Sequence, residues 1–206
     1  MKKLILFVFM LIFSFPSFAE NRELFAKTHK EIINDSDYIS LGNPKGKFEI
    51  ISFFDYRCHW CQQLNQQLMT LVESGKAPNV RWIPVEAPVL GTSISLSEYV
   101  LAAKKQGKQK ELFTQIVKEN IKSPDELKPV AKKLKINFKQ LKQDAKKREI
   151  QDALNKNLER HTIFDEQQGI VPLLIIAKKI HIGGLTEEII EKIIKDSNKP
   201  IYKSKK

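Results

Sequence analysis

Cysteine is nearly absent from this chain: 206 residues carry only Cys58 and Cys61. A structural zinc site needs two more ligands at short spacing, commonly a second Cys pair or a His pair. No further cysteine exists, and His29, His161 and His181 are scattered, so no metal site is expected. A bridge between residues so close in sequence would also constrain the unfolded chain little, which argues against a purely structural disulfide. Long apolar runs are missing too. The longest, Leu4 to Phe13, falls short of the roughly 20 apolar residues that a membrane-spanning helix requires. There is no glycine-rich nucleotide loop, no internal repeat and no second region of separate composition.

Acidic residues are absent before Glu20, and this absence marks a targeting segment. Lys2 and Lys3 form a basic end, the apolar run follows, and Ser17-Phe18-Ala19 presents small residues at the two positions a signal peptidase reads. Residues 1–19 are therefore expected to be a cleaved signal peptide and the protein to be periplasmic. The formal charge of +11 falls to about +9 once Lys2 and Lys3 are removed. The lysines are spread over helical stretches with acids interleaved, which reads as solvated faces and not as a nucleic-acid surface.

What is present centres on Phe53-Phe54-Asp55-Tyr56-Arg57-Cys58-His59-Trp60-Cys61. The mostly apolar Phe48 to Phe54 reads as a strand buried on both faces. Beyond the cysteines, Cys61, Leu64, Leu68, Leu71 and Val72 recur at helical spacing, and Gly75 is a fitting stop. A strand thus delivers a C-x-x-C to the first turn of a helix, the arrangement of a thiol–disulfide redox centre. Free N–H groups and the helix dipole favour a thiolate at Cys58, the attacking sulfur, while the apolar stripe turns Cys61 toward the core as the resolving sulfur. His59 is expected to assist by charge or by a hydrogen bond to the Cys58 sulfur. Trp60 either covers the site or offers an apolar contact to unfolded substrate.

The rest of the chain falls into blocks around this centre. Residues 20–45 form an N-terminal arm with a short amphipathic helix over Arg22 to Asn34. The arm either packs on its own domain or meets a second copy, so a homodimer through it is one possibility. A second strand is expected from Asn79 to Val85, ending or bulging at Pro84. Residues of about 93–168 are helical by pattern. Ser123-Pro124-Asp125-Glu126 forms a capping box, Pro129 implies a kink or restart, and Asn137 is a cap. His161, one turn beyond Leu158, reads as a packed or half-buried histidine and not a catalytic one. Leu173 to Ala177 and Ile180 to Ile182 form a hairpin, followed by a helix after Gly183-Gly184.

These residues resemble the DsbA family of thiol–disulfide oxidoreductases. The resemblance is carried by Gly42-Asn43-Pro44-Lys45-Gly46, the Phe53–Cys61 run, Ala87-Pro88-Val89-Leu90-Gly91, Ala102 to Gly107, and Gly169-Ile170-Val171-Pro172 with its hairpin. It implies an α/β protein: a thioredoxin fold over residues 46–206 with an inserted helical subdomain that covers the active site. It further implies a cis bond before Pro172 and a substrate chain paired with the backbone of Val171. Val171 resembles the residue found there in the family's oxidases. The implied activity is introduction of disulfides into reduced exported proteins, with a membrane quinone-linked protein reoxidising the pair and no cofactor beyond the two sulfurs. A disulfide isomerase or reductase is the alternative, and a Cu(I) carrier a third reading. The chain departs from the family in three places. His-Trp stands between the cysteines where Pro-His is usual. Ser52 occupies the position of a buried acid, leaving Asp55 as a candidate substitute. Ile170 stands where a glycine is common.

Overall fold

The computed structural model describes residues 18–91, 95–166 and 168–197. The expected signal peptide lies almost wholly outside these residues, and the lysine-rich end of the chain, residues 198–206, read from the sequence as a basic tail, lies wholly outside them. The first helix, α1, covers Phe18–Asn34 and ends where Asp35 to Asp37 take over the backbone. Among the described residues, five strands form one sheet: β1 (Leu41–Gly42), β2 (Phe48–Phe54), β3 (Val80–Glu86), β4 (Leu173–Ile176) and β5 (Lys179–Ile182). Their spatial order is β1-β3-β2-β4-β5. β2 and β3 are parallel, in register Phe48↔Val80 through Phe54↔Glu86, and are joined through helix α2 (His59–Glu73). The other pairs are antiparallel.

Side chains alternate across β2 as the pleat requires. Ile50 and Phe54 enter a core shared with α2, whereas Ile51 and Phe53 enter a second core closed by Ile32 of α1 and Phe164. Both faces are covered, which explains why the strand is apolar nearly throughout. Arg160 anchors α1 on that second face, bonding Asp35 at 3.0 Å and the Tyr38 hydroxyl at 2.7 Å. Burial works against the Asp35 charge, but the Asp37 N–H, Lys156 and Arg160 outweigh it and hold the carboxyl at about 2. Burial drives the Tyr38 phenol up to about 12. The arm therefore packs on its own chain, and β1, within it, belongs to the same sheet as the strands that follow residue 45.

Pro84 corrects the expected strand end, since β3 runs through it to Glu86. The Ala87 N–H donates to Phe54, so the amides of the odd-numbered residues face β2 and the Pro84 nitrogen faces β1. β1 reaches only as far as Trp82, so no ladder bond is lost at Pro84.

Between β3 and β4 the chain is helical: α3 (Leu96–Ala103), α4 (Gln109–Glu119), α5 (Leu127–Lys133), α6 (Phe138–Asp144) and α7 (Arg148–Asp165). Ser123 and Glu126 form the capping box around a 3-10 turn, and α5 restarts after it with Pro129 in its first turn, where no intrahelical amide is needed. The Asn137 side chain caps α6 by accepting from the Gln140 amide at 3.0 Å. The last helix, α8 (Glu187–Ser197), returns to the α2 face.

Candidate active site

The cysteine pair sits where β2 ends and α2 begins. Cys58 is the N-cap of α2, and its sulfur accepts the Cys61 amide N–H at 3.2 Å, the role an Asp or Ser oxygen plays at other helix starts. The sulfur thus stands at the end of α2 where the free amides and the positive end of the helix dipole lie. Both cysteines are free thiols. Cys58 is 7% exposed and Cys61 wholly buried, so an incoming reagent meets Cys58 first. Burial, then contact with Cys58, pushes the Cys61 thiol strongly upward; the Asp55 backbone amide opposes this.

Pro172 reaches the pair through strand register. β4 runs antiparallel to β2 with Leu173 opposite Phe53, so the residues just before β4 lie beside the turn just after β2. The Val171–Pro172 bond is cis. The Val171 carbonyl accepts from the Cys58 thiol at 3.7 Å. The structure thus brings Cys58, Cys61, Val171, Pro172 and Asp55 together.

Asp55 is wholly buried and bound on three sides. It accepts from the Arg57 amide at 2.8 Å, the Arg57 guanidinium at 3.2 Å and the Leu90 amide at 2.9 Å. This brace shapes the loop that presents Cys58, and the carboxylate's charge adds to the upward push on Cys61. Arg57, not singled out from the sequence, supplies two of the three donors. Its position between Asp55 and Cys58 was the available signal. Ser52 accepts the Trp82 indole N–H at 2.8 Å, so a neutral hydrogen bond fills the place of the family's usual acid.

His59 differs from expectation. Its ring is exposed, pairs with the Gln63 amide nitrogen at 3.1 Å and meets the Trp60 ring edge-on. Among the described residues no hydrogen bond joins it to either sulfur; the N–H on Cys58 comes from Cys61. Trp60 is 62% exposed, and its ring lies over Gly184, where an added Cβ would stand 3.4 Å from Cε3. Leu90 and Ile182 are also more than half exposed. A cavity of about 580 Å³ lies between α1 and the sheet, but it shares no residue with this site. Among the described residues, no group of three or more His, Cys, Asp or Glu side chains is disposed to hold a metal ion.

A family model described as Thioredoxin matches residues 34–196. No curated protein sequence is similar enough to count as a match. Solved structures with this fold include the catalytic domain of Proteus mirabilis ScsC, at 23% identity and TM-score 0.70, covering 85% of this chain and 97% of that one. The thiol–disulfide exchange protein α-DsbA2 of Wolbachia pipientis is 21% identical with TM-score 0.68, covering 87% and 98%. A periplasmic thioredoxin-like protein of Salmonella enterica serovar Typhimurium is 22% identical with TM-score 0.63, covering 83% and 95%. With the cysteine pair at the start of α2 and the family match spanning most of its length, the chain belongs to the thioredoxin family.

Proposed function

We propose that the protein is a periplasmic dithiol oxidase that transfers the Cys58–Cys61 disulfide to reduced exported proteins. A substrate thiolate attacks the Cys58 sulfur, the Cys58–Cys61 bond breaks, and its electron pair leaves on the Cys61 sulfur, which takes a proton. A second substrate thiolate attacks the substrate sulfur of the mixed disulfide, and Cys58 leaves as the thiolate. The substrate has lost two electrons and two protons, and the enzyme is a dithiol. A quinone-linked membrane protein would take those electrons.

The observation that carries this reading is the unlike placement of the two sulfurs. Cys58 lies at the helix mouth, within reach of reagents, and Cys61 is sealed beneath it with its thiol pushed up. A protonated Cys61 is slow to attack the mixed disulfide from within, which leaves time for the substrate's own second thiol. Exposed Trp60, Leu90 and Ile182 offer apolar contact to unfolded chains. The signal-like first 19 residues and a periplasmic structural neighbour support the location.

The test is the equilibrium of the pair against a glutathione series. A potential near the upper end of about −270 to −120 mV supports the oxidase. A value near the lower end makes the dithiol the working form, and the protein a reductase or isomerase.

A further inference from the structure

α7 carries two polar side chains that are fully inside the molecule, His161 and Asp165. They stand one helical turn apart, and the His161 ring packs 5.4 Å from that of Phe53. His161 Nε2 lies 2.8 Å from the Ile170 carbonyl oxygen. A carbonyl only accepts, so this ring nitrogen carries the hydrogen and donates. Asp165 Oδ2 accepts the amides of Gly169 and, at 3.1 Å, Ile170, and stands 3.5 Å from His161 Nδ1. Three successive backbone polar groups before Val171 are thereby tied to one helix. None of them is in a strand ladder, because β4 begins only at Leu173. The next carbonyl in the chain, that of Val171, is the one that meets Cys58. Among the described residues nothing bonds to the Val171 amide.

We propose that His161 and Asp165 are positioning residues that hold the Ile170–Val171 backbone at the height and angle at which an extended substrate chain can pair with it beside Cys58. This rests on the reading of the protein as an enzyme acting on peptide thiols. Neither side chain touches a sulfur. Their effect passes through the backbone they grip, so it falls on substrates long enough to use that backbone. A reagent that only reaches the sulfur is indifferent to it. The pair also makes the helical segment part of the binding site, because α7 sets the position of a loop that belongs to the sheet.

The experiment compares two thiols on the same variants. One is a two-cysteine peptide long enough to form a strand, for which KM and kcat are measured. The other is reduced glutathione, for which the rate of exchange at Cys58 is measured. His161→Phe keeps a ring against Phe53 and removes the donor. It is expected to raise the peptide KM about 5–30-fold, the effect of losing one buried hydrogen bond, with glutathione exchange changed less than about twofold. His161→Gln restores a donor and recovers most of the loss. Asp165→Asn, which halves the acceptor capacity facing two amides, shifts the same KM and serves should His161→Phe fail to fold. An unchanged peptide KM in a folded variant overturns the proposal. So does an equal fall for peptide and glutathione, which would make the pair merely structural. If the wild-type protein reduces instead of oxidising, the KM comparison is run with the disulfide form of the peptide, so direction and positioning are scored separately.

Discussion

Glu86 closes β3 as a carboxyl with almost no solvent, 2% exposed, and its Oε1 has no hydrogen-bond partner among the described residues. Burial moves its pKa from the ordinary 4.5 to about 7. The consequence for stability has a definite sign. Below pH 4.5 the carboxyl is protonated in both folded and unfolded chains and adds no ionisation cost. Between 4.5 and 7 the unfolded chain ionises while the folded one resists, so stability falls with rising pH; above 7 the loss levels off. A tenfold change in acidity is worth about 1.4 kcal/mol, so the interval amounts to about 3 kcal/mol. Glu86→Gln keeps the shape and cannot ionise. Its amide is still a buried polar group lacking a full set of partners, a cost of about 1 kcal/mol that does not vary with pH. The stability of the variant minus that of the wild type should therefore rise by about 3 kcal/mol between pH 4.5 and 7.5, equivalent to roughly 6–12 °C in Tm for a domain of this size. Urea unfolding of both proteins under constant reductant, at four pH values across that range, measures it. All other titrating groups are common to the two proteins and cancel in the difference. A difference that stays level within about 1 kcal/mol refutes the reasoning. Tyr56, whose buried phenol is held well above its ordinary range by burial and by the neighbouring Glu86 charge, stays protonated throughout this pH range.

Other consequences follow from the same geometry. Cys61→Ser should accumulate a mixed disulfide when offered a substrate in its disulfide form: the Cys58 thiolate displaces one substrate sulfur as a thiolate, and no Cys61 thiol remains to release the other. Mass spectrometry reads the adduct, and its absence would count against the exchange mechanism. Iodoacetamide should label Cys58 well before Cys61 in the reduced protein, and simultaneous labelling would contradict the buried placement of Cys61. Asp55→Asn leaves one of the amide or guanidinium donors facing an NH₂ group, and thermal melts should show a loss of about 2–4 kcal/mol. Ser52→Ala strands the Trp82 indole N–H in the core at a cost of about 1–3 kcal/mol, and an unchanged urea midpoint would argue against that bond. Trp60→Ala should leave stability within about 0.5 kcal/mol, because the ring is exposed, while raising KM for unfolded protein substrates.

Much of the molecule was legible because it depends on short-range order. The bounds of β2 follow from an apolar run, and α2 from the Cys61-Leu64-Leu68-Leu71 stripe. The caps at Ser123 and Asn137 follow from residue types whose side chains can reach only their own backbone. The reading of Cys58 as outward and Cys61 as inward needed no more than helical periodicity. His59 shows where adjacency misleads. It follows Cys58 in sequence, yet the first helical turn swings its ring toward Gln63, four residues on. Pro84 shows the limit of propensity, since its missing amide matters only if a neighbouring strand asks for it. The arm of residues 20–45 could be read as a helix but not as the cover of a second core.

The chemistry is thus written along the chain: two sulfurs, their spacing, and the strand and helix that order them. These are properties of neighbouring residues, decided by periodicity and capping. Which groups meet the sulfurs is settled by the packed fold. Val171 reaches Cys58 because β4 lies antiparallel to β2. Asp55 turned out to be a brace because Arg57 and Leu90 converge on it. His161, read along the chain only as a packed or half-buried histidine, bonds together with Asp165, which the sequence reading did not single out, to the loop before Pro172. The Val171–Cys58 and Asp55–Leu90 contacts join segments distant in sequence, and their geometry is set by sheet register and packing, which no local pattern encodes.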